Sequence, residues 1–306
     1  MIKTQKILII GSSGFIGGHL LTFFRSLGQS VFGLTHKGPA YSLANETEIN
    51  NFTSLDAVFH HHQFDVCIFA GGSSNVADSF SNPLVDFHKN VQNLVELLDV
   101  IRRFNPTCKF IHLSSAAVYG NVQSIPIKES DALNPISAYG HHKQISEQIC
   151  KEYHMLYNIP TINLRLFSIY GEGLKRQLFW DLHNKINQSE NQGNISLFGS
   201  QLDSRDFLYV GDLVRAIDHI ISNFNFDGKA VNIASGKETT IHEASRIFTD
   251  IYSSQPLKLD FNQEYIPGYP SKWCANVDQL IHTGFVFKFD LFDGLKNYVR
   301  WIRSTH

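Results

Sequence analysis
The segment ILIIGSSGFIGG at 7–18 constrains the fold more than any other: four apolar residues run directly into glycines at 11, 14 and 17. The apolar run reads as a buried strand and GGHLLTFFRSLG after it as a helix, so the glycines make the turn between them. Such a turn lets backbone N–H groups and the positive end of a helix approach a pyrophosphate with no side chain in the way. The alternation then repeats. SVFGLT, DVCIFAGG and KFIHLSS are short apolar runs, with SLDAVFHHH and PLVDFHKNVQNLVELLDVIRRF as longer amphipathic segments among them. This pattern predicts an α/β chain whose parallel sheet is covered on both faces.

Val85, Val91, Leu94, Val95, Leu98 and Ile101 recur near helical spacing, which makes the longest segment one helix with a broad apolar stripe. A second helix runs from 138 to about 157, PTINLRLFSIYG returns to strand and KRQLFWDLHNKINQ to helix. Beyond 170 the rhythm breaks. NISLFGSQLDSRDFLYV reads as strand, turn and strand, GDLVRAIDHIISNF as a helix and KAVNIAS as one more strand, before a closing amphipathic helix ending LKNYVRWIR. The expected division is a dinucleotide-binding domain at 1–167, to which the chain returns at about 204–232, and a smaller α/β lobe at 168–203 and 233–306.

With 306 residues, 43% of them apolar, the chain has interior enough for two joined lobes. A net charge of −2 without a basic stripe gives no long-range attraction for nucleic acid or anionic membrane. No stretch reaches the ~18 to 20 apolar residues of a membrane span, and ILII is too short for a signal peptide; the expected location is the cytoplasm. Cys67, Cys108, Cys150 and Cys274 stand far apart without a Cys-x-x-Cys pair, which reads as reduced core thiols. The run His60, His61, His62 has no carboxylate or cysteine at ligand spacing, so it reads as a solvated loop and no metal is expected.

The second strand ends in Thr35, His36 and Lys37, where NAD-binding folds usually carry a carboxylate for the ribose 2′-hydroxyl. A hydroxyl, an imidazole and an ammonium suit a 2′-phosphate instead, which favours NADP(H), with NAD as the alternative. SAYGHHK at 137–143 places Tyr139 and Lys143 one helical turn apart on one face. A neighbouring ammonium favours the phenolate, making a phenol of pKa ~10 a usable proton donor and acceptor.

GSSGFIG, HLSSAAVYG, SAYGHHK, INLRLFSIYG and SRDFLYVGDL, in this order, closely resemble the extended short-chain dehydrogenase/reductase family, specifically its branch of nucleotide-sugar epimerases, dehydratases and keto-sugar reductases. The resemblance spans nearly the whole chain. It implies a Rossmann-type doubly wound parallel sheet with a smaller substrate-binding lobe, and it assigns Ser115, Tyr139 and Lys143 to catalysis. On the cofactor it implies Gly11, Gly14, Phe15, Ile16 and Gly17 in the turn, Ala70, Gly71 and Gly72 beneath, and Asn90, Ser114 and Phe167 in support, with Tyr139 and Lys143 again. Asn51 and Phe52 fall where the family places an Asp and an apolar residue against adenine, so the Asn departs from the pattern. For the nucleotide-diphosphate sugar the resemblance points to Ser74, Ser115, Arg205 and Lys272, with Lys272 in place of a usual Arg. Ser168 takes the place of a family Asn at the diphosphate, Lys175 is a further candidate cation, and Phe198 is placed to stack on the base.

Dehydratases of this branch need an Asp-Glu pair beside the serine, where this chain has Ala116 and Ala117; alanine cannot move a proton. What remains is hydride transfer at one carbon. The Thr35, His36, Lys37 strand end tips the expectation to NADPH-dependent reduction of a nucleotide-linked 4-keto-6-deoxy sugar, as in surface-polysaccharide synthesis, with an NAD-dependent 4-epimerase as the alternative. An NADP-sensing protein with a silent fold is countered by the intact Ser115, Tyr139 and Lys143, and a reductase of small neutral carbonyls by Arg205 and Lys272. The apolar stripes of the two long helices predict a homodimer.

Overall fold
The computed structural model describes residues 4–37, 40–45, 49–188, 193–264 and 270–305, with His36, Lys37, Ala40 and Ile49 described in backbone only. The chain begins β1 (Lys6–Ile10), α1 (Phe15–Ser26), β2 (Ser30–Lys37), β3 (Ala40–Ala44), β4 (Ile49–Phe52), α2 (Leu55–His61) and β5 (Val66–Phe69). It continues through α3 (Val76–Ser81), α4 (Pro83–Phe87), a π turn (His88–Gln92), α5 (Asn93–Phe104), β6 (Lys109–Ser115), a 3-10 turn (Ala116–Val118), α6 (Ala138–Tyr157) and β7 (Thr161–Leu166). Then come β8 (Ser168–Tyr170), α7 (Gln177–Gln188), β9 (Asn194–Leu197), β10 (Ser204–Arg205), β11 (Phe207–Tyr209), α8 (Val210–Asn223) and β12 (Asp227–Ile233). The last elements are β13 (Thr239–Thr240), α9 (Ile241–Tyr252), β14 (Lys258–Phe261), α10 (Asp278–His282) and α11 (Leu291–Thr305).

Two compact units result. The first comprises Met1–Gly120, Ala132–Leu166 and Ile217–Asn232, the second Asn121–Asp131, Phe167–Ala216 and Ile233–His306. The main sheet has eight strands in the order β12-β7-β6-β5-β1-β2-β3-β4. β1 pairs in parallel with β2 and β5, β5 with β6, and β6 with β7, so the expected α/β Rossmann-type sheet is present. β5 and β7 are buried at every position, as strands are when helices cover both faces. The chain leaves β1 for β2 on one side and returns to β5 on the other, which makes a topological switch point at the carboxyl end of β1.

Three local expectations change. β3 and β4 form an antiparallel extension of the sheet that the sequence reading did not foresee, because strands of five and four residues carry too little alternation. His60 and His61 are not loop residues: they close α2, where imidazoles suit the negative end of the helix, and the ring of His62 packs 5.4 Å from Phe32. The long amphipathic segment is α4 and α5 joined by a π turn, with Pro83 in the first turn of α4. Leu94, Leu97, Leu98, Val100 and Ile101 lie in the core, and all four cysteines are buried free thiols.

In the second unit the buried Asp206 carboxylate accepts from Ser235 N and Oγ, both at 2.7 Å, Gly236 N at 3.0 Å and Ala275 N at 3.1 Å, tying three chain segments together. Asp212 does the same for Lys288 N and Phe289 N. Among the described residues no helix is long and apolar enough to cross a membrane, and no group of three or more His, Cys, Asp or Glu is placed to hold a metal ion.

Candidate active site
At the carboxyl end of β1, Gly11 adopts φ +78° and its N–H donates to Leu34 O at 3.0 Å. A Cβ on Gly11 would lie 2.6 Å from Gly71 Cα, and one on Gly17 would run into Gly11 O, so the turn, α1 and the 70–72 segment meet backbone to backbone. Gly14 caps α1 with no side-chain bond and no acidic residue stands in the first turn, with Phe15 and Ile16 opening the helix. The first turn thus offers no carboxylate to the positive helix end, which fits a pyrophosphate.

Beyond Leu34, Thr35 pairs across the sheet with Ser42, and Ser42 with Asn51. Directly opposed residues share a face, so hydroxyl, hydroxyl and carboxamide form one neutral polar row. Gly33, two residues before Thr35, lies against Ser12 Oγ and Leu21, which places the row on the α1 side. Phe52 packs its ring 5.9 Å from His61. The side chains of His36 and Lys37 lie outside the description.

Across the sheet, α6 starts at the Ser137 cap, whose Oγ accepts from Gly140 N at 3.1 Å, while Ser79 Oγ of α3 accepts from Tyr139 N at 3.1 Å. Tyr139 and Lys143 are both buried, with the Lys143 ammonium 5.9 Å from the centre of the Tyr139 ring. Lys143 Nζ donates to Leu113 O at 2.8 Å. Burial holds the Lys143 pKa down to about 8, against the upward pull of Asp86 and Glu147. Ser115 ends β6 and its Oγ accepts from Ala117 N at 3.2 Å, opening the turn in which Ala116 and Ala117 are buried. Asn90, in the π turn, donates from Nδ2 to Asp86 O at 3.2 Å, and its buried Oδ1 has no hydrogen-bond partner among the described residues. A Cβ on Gly72 would strike Asn90 Oδ1 and come within 3.2 Å of Lys143 Nζ. Gly72, Asn90 and Lys143 are therefore brought together, with Ala70 and Gly71 leading into the turn and the exposed Ser74 following it.

Ser114 faces the interior instead, donating to Glu147 Oε1 at 2.5 Å. Glu147 accepts from Arg165, Arg165 donates to Tyr119 Oη at 2.8 Å, and Tyr119 donates to Asn232 at 2.7 Å. This buried chain ties β6, α6, β7 and β12 together.

In the second unit, Ser204 and Lys272 form a parallel bridge, which sets Arg205 and Lys272 near one another. Arg205 Nη1 donates to Ser204 O at 2.7 Å, and its guanidinium lies 5.6 Å from the Trp273 ring, whose other neighbour is Phe167 at 6.1 Å. Ser168 N donates to Asp206 O at 3.0 Å, next to Arg205 in sequence. Lys175 is taken up elsewhere, its ammonium 5.7 Å from the Trp180 ring and 5.8 Å from Trp301. Phe198 is 61% exposed with Lys185 over its ring at 5.2 Å.

Four side chains at these places went unread in the sequence. Ser42 required the β2–β3 register and Ser79 the packing of α3 on α6. Trp273, whose Nε1 is buried with no partner among the described residues, was adjacent to Lys272 and carried an aromatic signal. His142, the second histidine of YGHHK, meets Asp86 at 2.6 Å.

A family model described as "NAD dependent epimerase/dehydratase family" matches residues 7–234. YtcB of Bacillus subtilis, named as an uncharacterized UDP-glucose epimerase, is 28% identical over 99% of this chain and 99% of its own length. The crystal structure of UDP-glucuronic acid 4-epimerase from Bacillus cereus, in complex with UDP-glucuronic acid and NAD, superposes with a TM-score of 0.85 at 24% identity, covering 98% of this chain and 100% of that one. RMD from Pseudomonas aeruginosa, complexed with NADPH, gives a TM-score of 0.85 at 21% identity over 99% of this chain and 100% of its own.

Proposed function
The chain belongs to the NAD dependent epimerase/dehydratase family, and from that premise we propose that it is an NAD-dependent 4-epimerase of nucleotide-diphosphate sugars, with UDP-sugars as its substrates. The observation that carries this reading is the grouping of Gly72, Asn90, Lys143 and Tyr139, with Ser115 followed by two buried alanines. Such a site can serve one carbon with one acid-base group, and neither Ala116 nor Ala117 can carry a further proton for eliminating water. The alanines favour both single-carbon chemistries equally; the epimerase is preferred over the reductase because relatives such as YtcB carry epimerase names.

The residues fit the cofactor. The uncapped positive end of α1 would take its pyrophosphate, Thr35, Ser42 and Asn51 its adenosine ribose, and Lys143 with the partnerless Asn90 Oδ1 its nicotinamide side. Bound NAD supplies a reversible hydride acceptor. Tyr139 Oη takes the proton of the sugar 4-hydroxyl as the C4 hydrogen departs, and later returns it. Ser115 Oγ hydrogen-bonds the same oxygen, and the Lys143 ammonium stabilises the phenolate that takes the proton and that is left when the proton is returned. Inversion requires the ketone to present its other face before hydride returns. Arg205 and Lys272 would hold the diphosphate, the stacked guanidinium offering charge-assisted bonds.

Reduction by NADPH is the second reading, favoured by the absence of a carboxylate from the Thr35, Ser42, Asn51 row. One experiment separates the two. Purified protein is incubated with UDP-glucose, UDP-galactose and UDP-glucuronic acid, products are resolved by NMR, and any copurifying nucleotide is identified. Interconversion of 4-epimers with NAD retained and no net change in nicotinamide absorbance is expected. Stoichiometric NADPH loss on a 4-keto sugar, without epimer interconversion, would replace it with the reductase.

A further inference from the structure
A buried carboxylate that this chemistry leaves unused stands beside it. Asp86, on α4, is 3% exposed. Its Oδ2 lies 2.6 Å from His142 Nδ1, and its Oδ1 has no hydrogen-bond partner among the described residues. His142 directly precedes Lys143 on α6. The Asp86 carbonyl accepts from Asn90 Nδ2 at 3.2 Å, while Ser146 Oγ bridges His142 O at 2.8 Å and Asn90 O at 2.9 Å. Of the two side chains that hem in Gly72, Asn90 is thus tied to the Asp86 backbone, and Lys143 follows His142 directly on α6.

A carboxylate this deep is unfavourable unless something nearby uses its charge. The titratable groups around Lys143 are Asp86 from α4, Tyr139, His142, Glu147 and Cys150 from α6, and His112 from β6. Glu147 is matched by the Arg165 guanidinium at 2.7 Å. Burial pushes the Cys150 thiol well up, and burial together with Lys143 pushes the His112 imidazole well down, so neither offers a charge. Asp86 is left as the carboxylate without a guanidinium partner. We propose that Asp86, clamped by His142, is a positioning residue that keeps Lys143 as an ammonium and Asn90 against Gly72. The proposal rests on the role given to Lys143 above.

The test compares wild type, Asp86→Asn, Lys143→Met and the double variant. Thermal melting of each is followed from pH 6 to 10.5 without cofactor, and the pH profile of turnover and calorimetric NAD binding are measured beside it. Lys143 has a folded pKa of about 8, below the ~10.4 of an unfolded lysine. The unfolded chain therefore binds more protons between these values, and stability rises with pH through that window. Removing the Asp86 charge lowers the folded pKa further, so the rise should begin at lower pH. The melting deficit of Asp86→Asn should be greatest below pH 8 and fade towards pH 10. Lys143→Met should remove it in the double variant, which should fold even where Asp86→Asn does not. The alkaline limb of turnover should move down by about one pH unit, and NAD binding should weaken several-fold. A deficit that is independent of pH and persists in the double variant, or no deficit at any pH, overturns the proposal. The melting arm decides even if no UDP-sugar is epimerised, so the failure of either reading is visible separately.

Discussion
Tyr139 is held from two sides, with Ser137 closing the first turn of α6 beneath it and Ser79 accepting its backbone N–H. Its phenol can therefore be altered without moving the backbone. Tyr139→Phe should lower turnover 10² to 10⁴-fold, the usual worth of a positioned proton carrier, while NAD affinity and melting temperature stay near wild type; stopped assays and calorimetry check both. Arg205→Ala should weaken UDP binding by about 1.5 to 3 kcal/mol and leave NAD binding unchanged, since a charge-assisted bond of this kind is worth that much. Arg205→Lys should recover little of it, because an ammonium presents no planar fork to the diphosphate. Calorimetry with UDP on both variants reads this directly. Gly11, Ser115, Tyr139 and Lys143 could be singled out because each sits in a short contiguous motif. Asp86 and His142 were not, since they meet across 56 positions of sequence and neither is informative alone.

Among elements, the β1 turn and α1 depend on a single atom's absence. A methyl at Gly17 would meet the carbonyl of Gly11 inside a turn that also touches Gly71, and backbone cannot swing aside as a long side chain can. Gly17→Ala should cost about 1 to 3 kcal/mol, as overpacking does, and should weaken NAD binding as α1 lifts from the turn; melting curves and calorimetry measure the two effects. Strand and helix alternation made the core sheet readable, because period-two and period-3.6 apolar patterns are physically distinct. The β3–β4 extension was not readable: its strands are short, and β3 is placed by its pairing with β2 across the chain. The π turn at Asn90 was equally hidden. A single π turn inside an amphipathic helix carries no sequence signature of its own, yet it holds the buried Asn90.

For the whole molecule, the surface to explain is apolar and lies on α3 and α4. Phe80 is 51% exposed, Leu84 66%, Val85 50% and Phe87 37%, a density that single scattered residues on a soluble surface do not reach. The sequence reading assigned the dimer to the helix around 91–101 and the helix carrying Lys143; in the first of these, Leu94, Leu98 and Ile101 are fully buried in the chain's own core. Among the described residues the exposed apolar groups of this region lie one turn earlier, on α3 and α4, and a homodimer through this surface pairs α4 with its copy about a twofold axis. Wild type should sediment at twice the 34.7 kDa of the chain at micromolar concentration. Leu84→Asp with Val85→Asp should yield a monomer, since neither side chain is needed for the core. A wild-type monomer, or a dimer indifferent to both charges, would reject the surface. The opposite face of α4 carries Asp86 and, through its carbonyl, Asn90. Freeing a helix of only five residues from its partner should loosen that support, so the monomeric variant should also bind NAD more weakly, by a factor that calorimetry can compare with the loss in Asp86→Asn.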